Sequence, residues 1–242
     1  MISALTAQLR PAPPHVHSPR ALFFTAAALL AAGDGLFWLM FAAVKSGSGA
    51  AALDGAVHDG LVGARTPWLT AVVTAVTTVT SPLWMMVIGV LMALCWAAWR
   101  REIWRPALLL AAMASTVLLS ALIKSQVNRP RPSASDFMLG PDDALSFPSG
   151  HTFGAGVFVC VLVYMLVSRE GKGTTALLGW GAGVAVATTA LVAFSRLYLG
   201  YHWLTDVLAS MGLVFAVTGV VILVDGLRAS RRVQDSEVPA EG

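Results

Sequence analysis

Residues 148–167 read PSGHTFGAGVFVCVLVYMLV. A short polar head is followed by an apolar run without one acidic or basic side chain. Crossing the hydrocarbon core of a bilayer takes about 20 apolar residues in a helix. The stretch therefore predicts a transmembrane helix with its proline, serine, glycine and histidine at the membrane surface. Working outward, comparable apolar runs are expected to span at about 21–44, 68–99, 104–123, 174–194 and 202–224. The run at 68–99 is longer than a bilayer needs, and Pro82 is expected to kink or divide it. Between the first two runs, Leu53, Val57 and Leu61 recur at helical spacing in a segment rich in glycine, alanine and serine. That pattern predicts a short amphipathic helix lying at the interface. The expected fold is all-α: a polytopic membrane protein with six transmembrane helices and a short interfacial helix between spans 1 and 2.

Composition agrees. Of 242 residues 57% are hydrophobic and 12% charged, against about a quarter charged in an ordinary soluble domain. One helical membrane domain is expected over 21–227. Residues 1–20, with Pro11, Pro13, Pro14 and Pro19, and residues 228–242 read as disordered tails. The first span exceeds the roughly 7–15-residue apolar core of a cleaved secretory signal, so it reads as a retained helix. Cys95 and Cys160 lie inside apolar runs and read as small hydrophobes, and no cysteine–histidine spacing resembles a zinc site. No metal, no cofactor and no nucleic-acid partner are expected; the bilayer is.

Six spans place both termini on one side. One set of helix ends carries Arg10, Arg20, Arg100, Arg101, Arg105, Arg169, Lys172, Arg228, Arg231 and Arg232. The other carries Lys45, Arg65, Lys124, Arg129, Arg131 and Arg196, offset by Asp54, Asp59, Asp136, Asp142 and Asp143. The positive-inside rule assigns the first set to the cytoplasm of a cell membrane and the second to the outer face.

Three polar clusters fall at those outer ends: Lys124 to Pro132, Pro148 to His151, and Ser195 to Asp206. Lys124, Arg131 and Arg196 supply cations, and arginine forks match phosphate oxygens in pairs. Ser149 and Gly150 open a helix whose first amides carry partial positive charge and lack intrahelical acceptors. His202 and Asp206 are four residues apart on one helical face. The aspartate can fix the imidazole tautomer and leave the other nitrogen free to attack. His151 is placed to act as a general acid, work that suits histidine because its unperturbed pKa is about 6.5. Phosphoryl transfer rests on positioning and charge stabilisation, which three cations and backbone donors can provide.

Lys-x6-Arg-Pro, Pro-Ser-Gly-His and Ser-Arg-x5-His-x3-Asp resemble the three signature motifs of the type 2 phosphatidic-acid phosphatase superfamily. Lys124, Arg131, Pro132, Pro148, Ser149, Gly150, His151, Ser195, Arg196, His202 and Asp206 occupy every motif position. The resemblance covers about residues 54–212 and includes the Thr-Ser-Pro opening before the second span's core. It implies a phosphohistidine formed on His202, oriented by Asp206, with His151 as the acid. Lys124, Arg131, Ser149, Gly150 and Arg196 would bind the phosphoryl group. The superfamily also holds soluble acid phosphatases and vanadate haloperoxidases; six spans point to its membrane lipid phosphatases.

The expected partner is therefore a lipid phosphate or diphosphate. An outward site favours undecaprenyl diphosphate, whose dephosphorylation recycles a carrier for wall synthesis. Phosphatidylglycerol phosphate and phosphatidic acid are the alternatives within the class. A non-catalytic lipid-binding or transport protein, and a lipid phosphotransferase, are alternatives outside it. Arg129 is set aside as a source of positive field, and Asp34 as an intramembrane acid without a motif. His15, His17 and His58 read as solvated. Tyr198, Tyr201 and Trp203 read as an interfacial aromatic belt or a lining for a lipid tail, and the loop 133–147 as a shaper of substrate access.

Overall fold

The structure, a computed structural model, describes residues 19–168 and 175–237. Eight α-helices occur among them: α1 (Pro19–Ser46), α2 (Asp54–Gly63), α3 (Pro67–Val79), α4 (Pro82–Arg100), α5 (Trp104–Val127), α6 (Gly150–Val167), α7 (Thr175–Tyr198) and α8 (Leu204–Glu237). Six of them, α1 and α4 to α8, are long and apolar enough to cross a membrane. The short α2 sits between the first and second of these, as the sequence anticipates.

The long apolar run at 68–99 is two helices rather than one. Thr80 and Ser81 separate them, Ser81 accepts the Trp84 N–H as the N-cap of α4, and Pro82 takes the first helical position, where its missing N–H costs nothing. Only α4 is long enough to span by itself. At the other end of the chain, α8 continues through Glu237, so the tail expected to be disordered from 228 is helical through that residue. Arg228 lies 3.9 Å from the Trp104 ring, which holds the first turn beyond the apolar stretch against α5. The tail through residue 18 and the polar turn at 169–173 lie outside the described residues.

α6 and α8 form the middle of the bundle. Half of the α6 apolar stretch and 56% of that of α8 are buried, against 17% for α4. Phe153, Val157, Val161 and Met165 repeat at helical spacing along the buried side of α6 and meet Val214 and Val221 of α8. Outward, Trp99 and Trp180 are exposed, as expected of side chains facing lipid. α1 lies against α8 because glycines let the backbones touch. A Cβ added at Gly212 would meet the Gly33 carbonyl oxygen at 2.7 Å, and one added at Gly33 would meet that of Gly212 at 2.5 Å. Close approach through small residues is the usual substitute for a hydrophobic driving force inside a bilayer. Asp34, next to Gly33, points away from this seam and is exposed.

The turn from α7 into α8 has one special residue. Gly200 adopts φ +86, and a Cβ there would meet the Asp136 carbonyl oxygen at 2.5 Å. A side chain at 200 would thus push the 133–147 loop away from the turn that carries His202.

Candidate active site

The four helix ends gather at one end of the bundle. Lys124 closes α5, Ser149 and Gly150 open α6, Arg196 closes α7, and His202 precedes α8, which holds Asp206 in its first turn. Arg131 comes from the loop after α5. His151 lies within electrostatic reach of Arg196, His202, Arg131 and Lys124, so both imidazoles share one pocket with the three cations. Ser149, His202, Arg196 and Asp206 are all buried.

The tautomer of His202 follows from its neighbours. Arg131 Nη1 lies 3.2 Å from His202 Nε2, and a guanidinium nitrogen can only donate, so Nε2 accepts. The ring proton then belongs on Nδ1, which faces Asp206 Oδ2 at 3.3 Å. The same carboxylate oxygen accepts the Trp203 N–H at 2.9 Å and thereby caps its own helix. Burial, and after it the positive charges of Arg196, Arg131 and Lys124, hold the His202 pKa well below its ordinary value. The ring is neutral and keeps a lone pair on Nε2, the state a nitrogen nucleophile needs.

The cations are held by neutral acceptors and one carboxylate. Arg131 donates to the Ala144 carbonyl at 2.6 Å and to the Tyr201 carbonyl at 2.8 Å, and pairs with Asp142 at 2.8 Å. Burial lowers its pKa, against the raising influence of Asp142 and Asp206. Lys124 donates to the Leu145 carbonyl. Arg196 donates to Thr77 Oγ1 at 2.8 Å and lies 4.4 Å from the Tyr201 ring. Its Nε is buried and without a hydrogen-bond partner, a donor left to meet an oxyanion. Gly150 is open on its Cβ side, with only Pro82 Cγ within 4.0 Å. The Ser149 N–H is taken by Ser210 Oγ, so the donors the sequence assigns to this helix start are the amides that follow Ser149.

An apolar cavity of about 260 Å³ starts at Lys124 and Gly150 and runs down between α4, α5 and α6, lined by Gly154, Thr116, Met113 and Met85 among others. A molecule with a phosphate at the cations and a hydrocarbon chain would fit this order of chemistry.

Several residues turn out differently from the sequence reading. Arg129 is a structural centre of the site. Its Nη1 donates to Asp206 Oδ1 at 2.6 Å and to Thr205 Oγ1 at 2.7 Å, and its Nη2 to Asp54 Oδ2 at 2.6 Å. The spacing of Arg129 from Arg131 could have signalled it, but Asp54 lies 75 residues away and no local pattern joins the two. His58 is buried rather than solvated and contacts Asp136 Oδ2 at 3.2 Å. Tyr198 and Tyr201 are buried too, and so are not an interfacial belt. The Tyr201 hydroxyl accepts from Leu139 N and donates to the Gly140 carbonyl, and its ring stacks on Phe137 at 4.7 Å. These contacts fasten the 133–147 loop over the site because a tyrosine buries its ring while its hydroxyl finds backbone partners.

Comparison with known proteins follows the same lines. Residues 105–228 match the family described as the PAP2 superfamily. Phosphatidylglycerophosphatase B of Bacillus subtilis is 30% identical over 194 residues, 76% of this chain and 91% of that protein. The crystal structure described as the first transmembrane PAP2 type phosphatidylglycerolphosphate phosphatase from Bacillus subtilis superposes with a TM-score of 0.67. It is 24% identical, and the alignment covers 87% of this chain and 99% of that one.

Proposed function

The chain belongs to the PAP2 superfamily, and from that premise we propose that it is a membrane lipid phosphatase cleaving the phosphomonoester of phosphatidylglycerol phosphate through a phosphohistidine on His202. The name of the Bacillus relative favours this glycerophospholipid over undecaprenyl diphosphate, the substrate the sequence puts first. Phosphatidic acid carries the same headgroup chemistry and is the next substrate in line.

The observation that carries the reading is the setting of His202: Nδ1 on a buried carboxylate, Nε2 on a guanidinium suited to phosphate. In the reaction a phosphoryl oxygen takes over the Arg131 donor and so uncovers the Nε2 lone pair. Nε2 forms a bond to phosphorus as the phosphorus–oxygen bond to the glycerol side breaks, and His151, which takes up a proton once the phosphate's negative charge is in the pocket, gives that proton to the departing oxygen. His151 then takes a proton from water, whose oxygen attacks phosphorus and breaks the phosphorus–nitrogen bond. Inorganic phosphate leaves and His202 returns to its neutral form. Lys124, Arg131, Arg196 and the amides after Ser149 face the equatorial oxygens, where charge develops. The apolar cavity below Lys124 takes hydrocarbon. By the positive-inside rule the site faces outward and both termini face the cytoplasm.

The test is phosphate release by the purified protein from phosphatidylglycerol phosphate, phosphatidic acid and undecaprenyl diphosphate, with EDTA present. We expect turnover that survives EDTA, is inhibited by vanadate, is fastest on phosphatidylglycerol phosphate, and falls by at least about 10³-fold in His202→Ala. Full turnover in that variant would remove the nucleophile. Preference for the isoprenoid diphosphate would restore the other substrate.

A further inference from the structure

Asp206 is fixed by more than the histidine it orients. Its Oδ2 is engaged by His202 Nδ1 and the Trp203 N–H, and its Oδ1 by Arg129 Nη1 at 2.6 Å. Arg129 is itself fixed from behind. Asp54, the first residue of α2, accepts its Nη2 at 2.6 Å and also takes the Thr205 N–H at 2.9 Å and the Thr205 hydroxyl at 2.7 Å. Thr205 is in the first turn of α8, one residue before Asp206. Asp54 therefore caps, from another part of the chain, the helix that carries the orienting carboxylate. Asp54 and Asp206 are 4% and 0% exposed. Buried carboxylates of this kind persist only where charge and hydrogen bonds compensate them.

We propose that Arg129 and Asp54 are positioning residues for the transfer step, extending the histidine–aspartate pair to a chain of four: Asp54, Arg129, Asp206 and His202. The inference rests on the phosphohistidine reading. In that chain the segment between the first two spans sets the nucleophile's aim. Pinning Oδ1 prevents the carboxylate from rotating away from Nδ1, and the imidazole keeps Nε2 directed at phosphorus.

The geometry separates Arg129 from the phosphate-binding arginines. Both of its terminal nitrogens are committed to side chains, those of Asp206, Thr205 and Asp54. Arg131 is instead held chiefly by carbonyls and reaches Nε2 itself. Arg129 is thus assigned an effect on the rate of the bound complex, not on the capture of substrate. Removing it leaves two buried carboxylates facing one vacated space and takes from Oδ1 its charged partner.

The experiment measures kcat and KM for the variants Arg129→Lys, Arg129→Ala, Asp54→Asn and the double variant Asp54→Asn/Arg129→Ala, with thermal unfolding in the same detergent. Misplacing a reacting group by about 1 Å costs on the order of 100-fold. We expect kcat to fall about 100-fold in Arg129→Ala with KM changed by less than about threefold, and about tenfold in Asp54→Asn. Arg129→Lys should recover part of the rate. Guanidinium added to Arg129→Ala should recover more, as a group acting by charge and shape allows and a purely structural one does not. The double variant should be no slower than Arg129→Ala, because the two residues act in one chain. Formation of the labelled phosphoenzyme in a single turnover should slow in parallel with kcat.

A rise in KM with kcat retained would make Arg129 a phosphate ligand and overturn the proposal. So would unchanged kcat in Asp54→Asn and Arg129→Lys, which keep the site filled. Loss of rate in step with lost unfolding temperature, without guanidinium rescue, would reduce the pair to scaffolding and also overturn it. If the unmodified protein releases no phosphate, or His202→Ala retains full turnover, the underlying reading fails instead.

Discussion

The two ends of this helix bundle both bury arginine, and they use it differently. At the end away from the site, Arg105 is 1% exposed; it donates to the Met165 carbonyl and lies 3.6 Å from Glu102, three residues earlier on the chain. Beside it, Asp225 accepts from both Trp104 and Tyr164, at 2.8 and 3.0 Å. These contacts join α5, α6 and α8 and resemble a structural tie. At the site end, Arg196 is 3% exposed and is held by a threonine hydroxyl and the face of a tyrosine ring. Neither holder is charged. Lys124, Arg129, Arg131 and Arg196 there face the carboxylates of Asp54, Asp142 and Asp206, four cations against three anions. A buried excess of positive charge is costly unless an anion completes it. Both arginines keep one buried nitrogen without a hydrogen-bond partner, so burial says little by itself; the difference is that Arg105 has a carboxylate beside it and Arg196 is held by uncharged groups, which on the proposed reading leaves its charge for a phosphate.

The strongest way to break this comparison is to remove one arginine from each end. Arg196→Gln is expected to lower kcat/KM by at least about 100-fold, as the loss of one oxyanion donor does, with a small change in unfolding temperature. Arg105→Gln is expected to do the reverse. It takes the donor from the Met165 carbonyl and the neighbouring cation from Glu102, which keeps the Trp96 N–H; the loss costs about 3 kcal/mol of stability, while kcat and KM of the surviving folded protein stay within about twofold. Equal losses of rate in both variants would dissolve the distinction.

The sequence made the site end legible and left the other end nearly silent. Lys124, Arg131, Ser149, Gly150, His151, Arg196, His202 and Asp206 lie in three short motifs, and the structure gathers them at one end of the bundle, where the proposed chemistry needs them. Six spans were legible for the same reason: hydrophobicity over about 20 residues is a local property. What escaped was non-local. Asp54 meets Thr205 across 151 residues, and the Tyr198 hydroxyl accepts the Thr66 N–H across 132. No periodicity encodes such pairs. The division of the run at 68–99 was anticipated at Pro82, yet only the structure shows that α3 falls short of a spanning length. Tyr198 and Tyr201 were misread because a tyrosine that fastens a loop and one that sits among headgroups look alike in sequence.

A smaller effect sharpens the comparison through pH. The His202 pKa is lowered on folding, by burial first and then by the cations around it. Above about pH 6.5 the ring is neutral in both the folded and unfolded chain, and contributes no pH dependence. Below that, the unfolded chain takes a proton the folded one refuses, so stability is lost as pH falls toward the lowered folded value. The slope reaches up to about 1.4 kcal/mol per pH unit for one group. Unfolding temperatures between pH 7 and 5 should therefore drop more steeply for the unmodified protein than for His202→Gln. Parallel curves would show that neither burial nor the site's positive charge lowers the ring's pKa on folding.

The smallest expected effect concerns Asp142, a carboxylate of the loop above the site that pairs with Arg131, one of the arginines proposed to bind phosphate. Its side chain is 32% exposed, so the pair contributes in the range of a surface ion pair, about 0.2–1 kcal/mol. An incoming phosphate must compete with it for Arg131, whereas Thr77 and Tyr201 offer no such competition at Arg196. Asp142→Asn keeps the loop's size and its own hydrogen bond to the Ala144 N–H while removing the charge. The variant should bind vanadate about two- to fivefold more tightly and show a KM lower by the same factor, with kcat unchanged. The gain should shrink in high salt, where the ion pair is screened in the unmodified protein as well. A weaker grip on vanadate would instead mean that Asp142 positions Arg131 for the anion. Asp142 would then belong with the fixed scaffold around Arg131, and the site end would hold a tie of the kind seen at the other end.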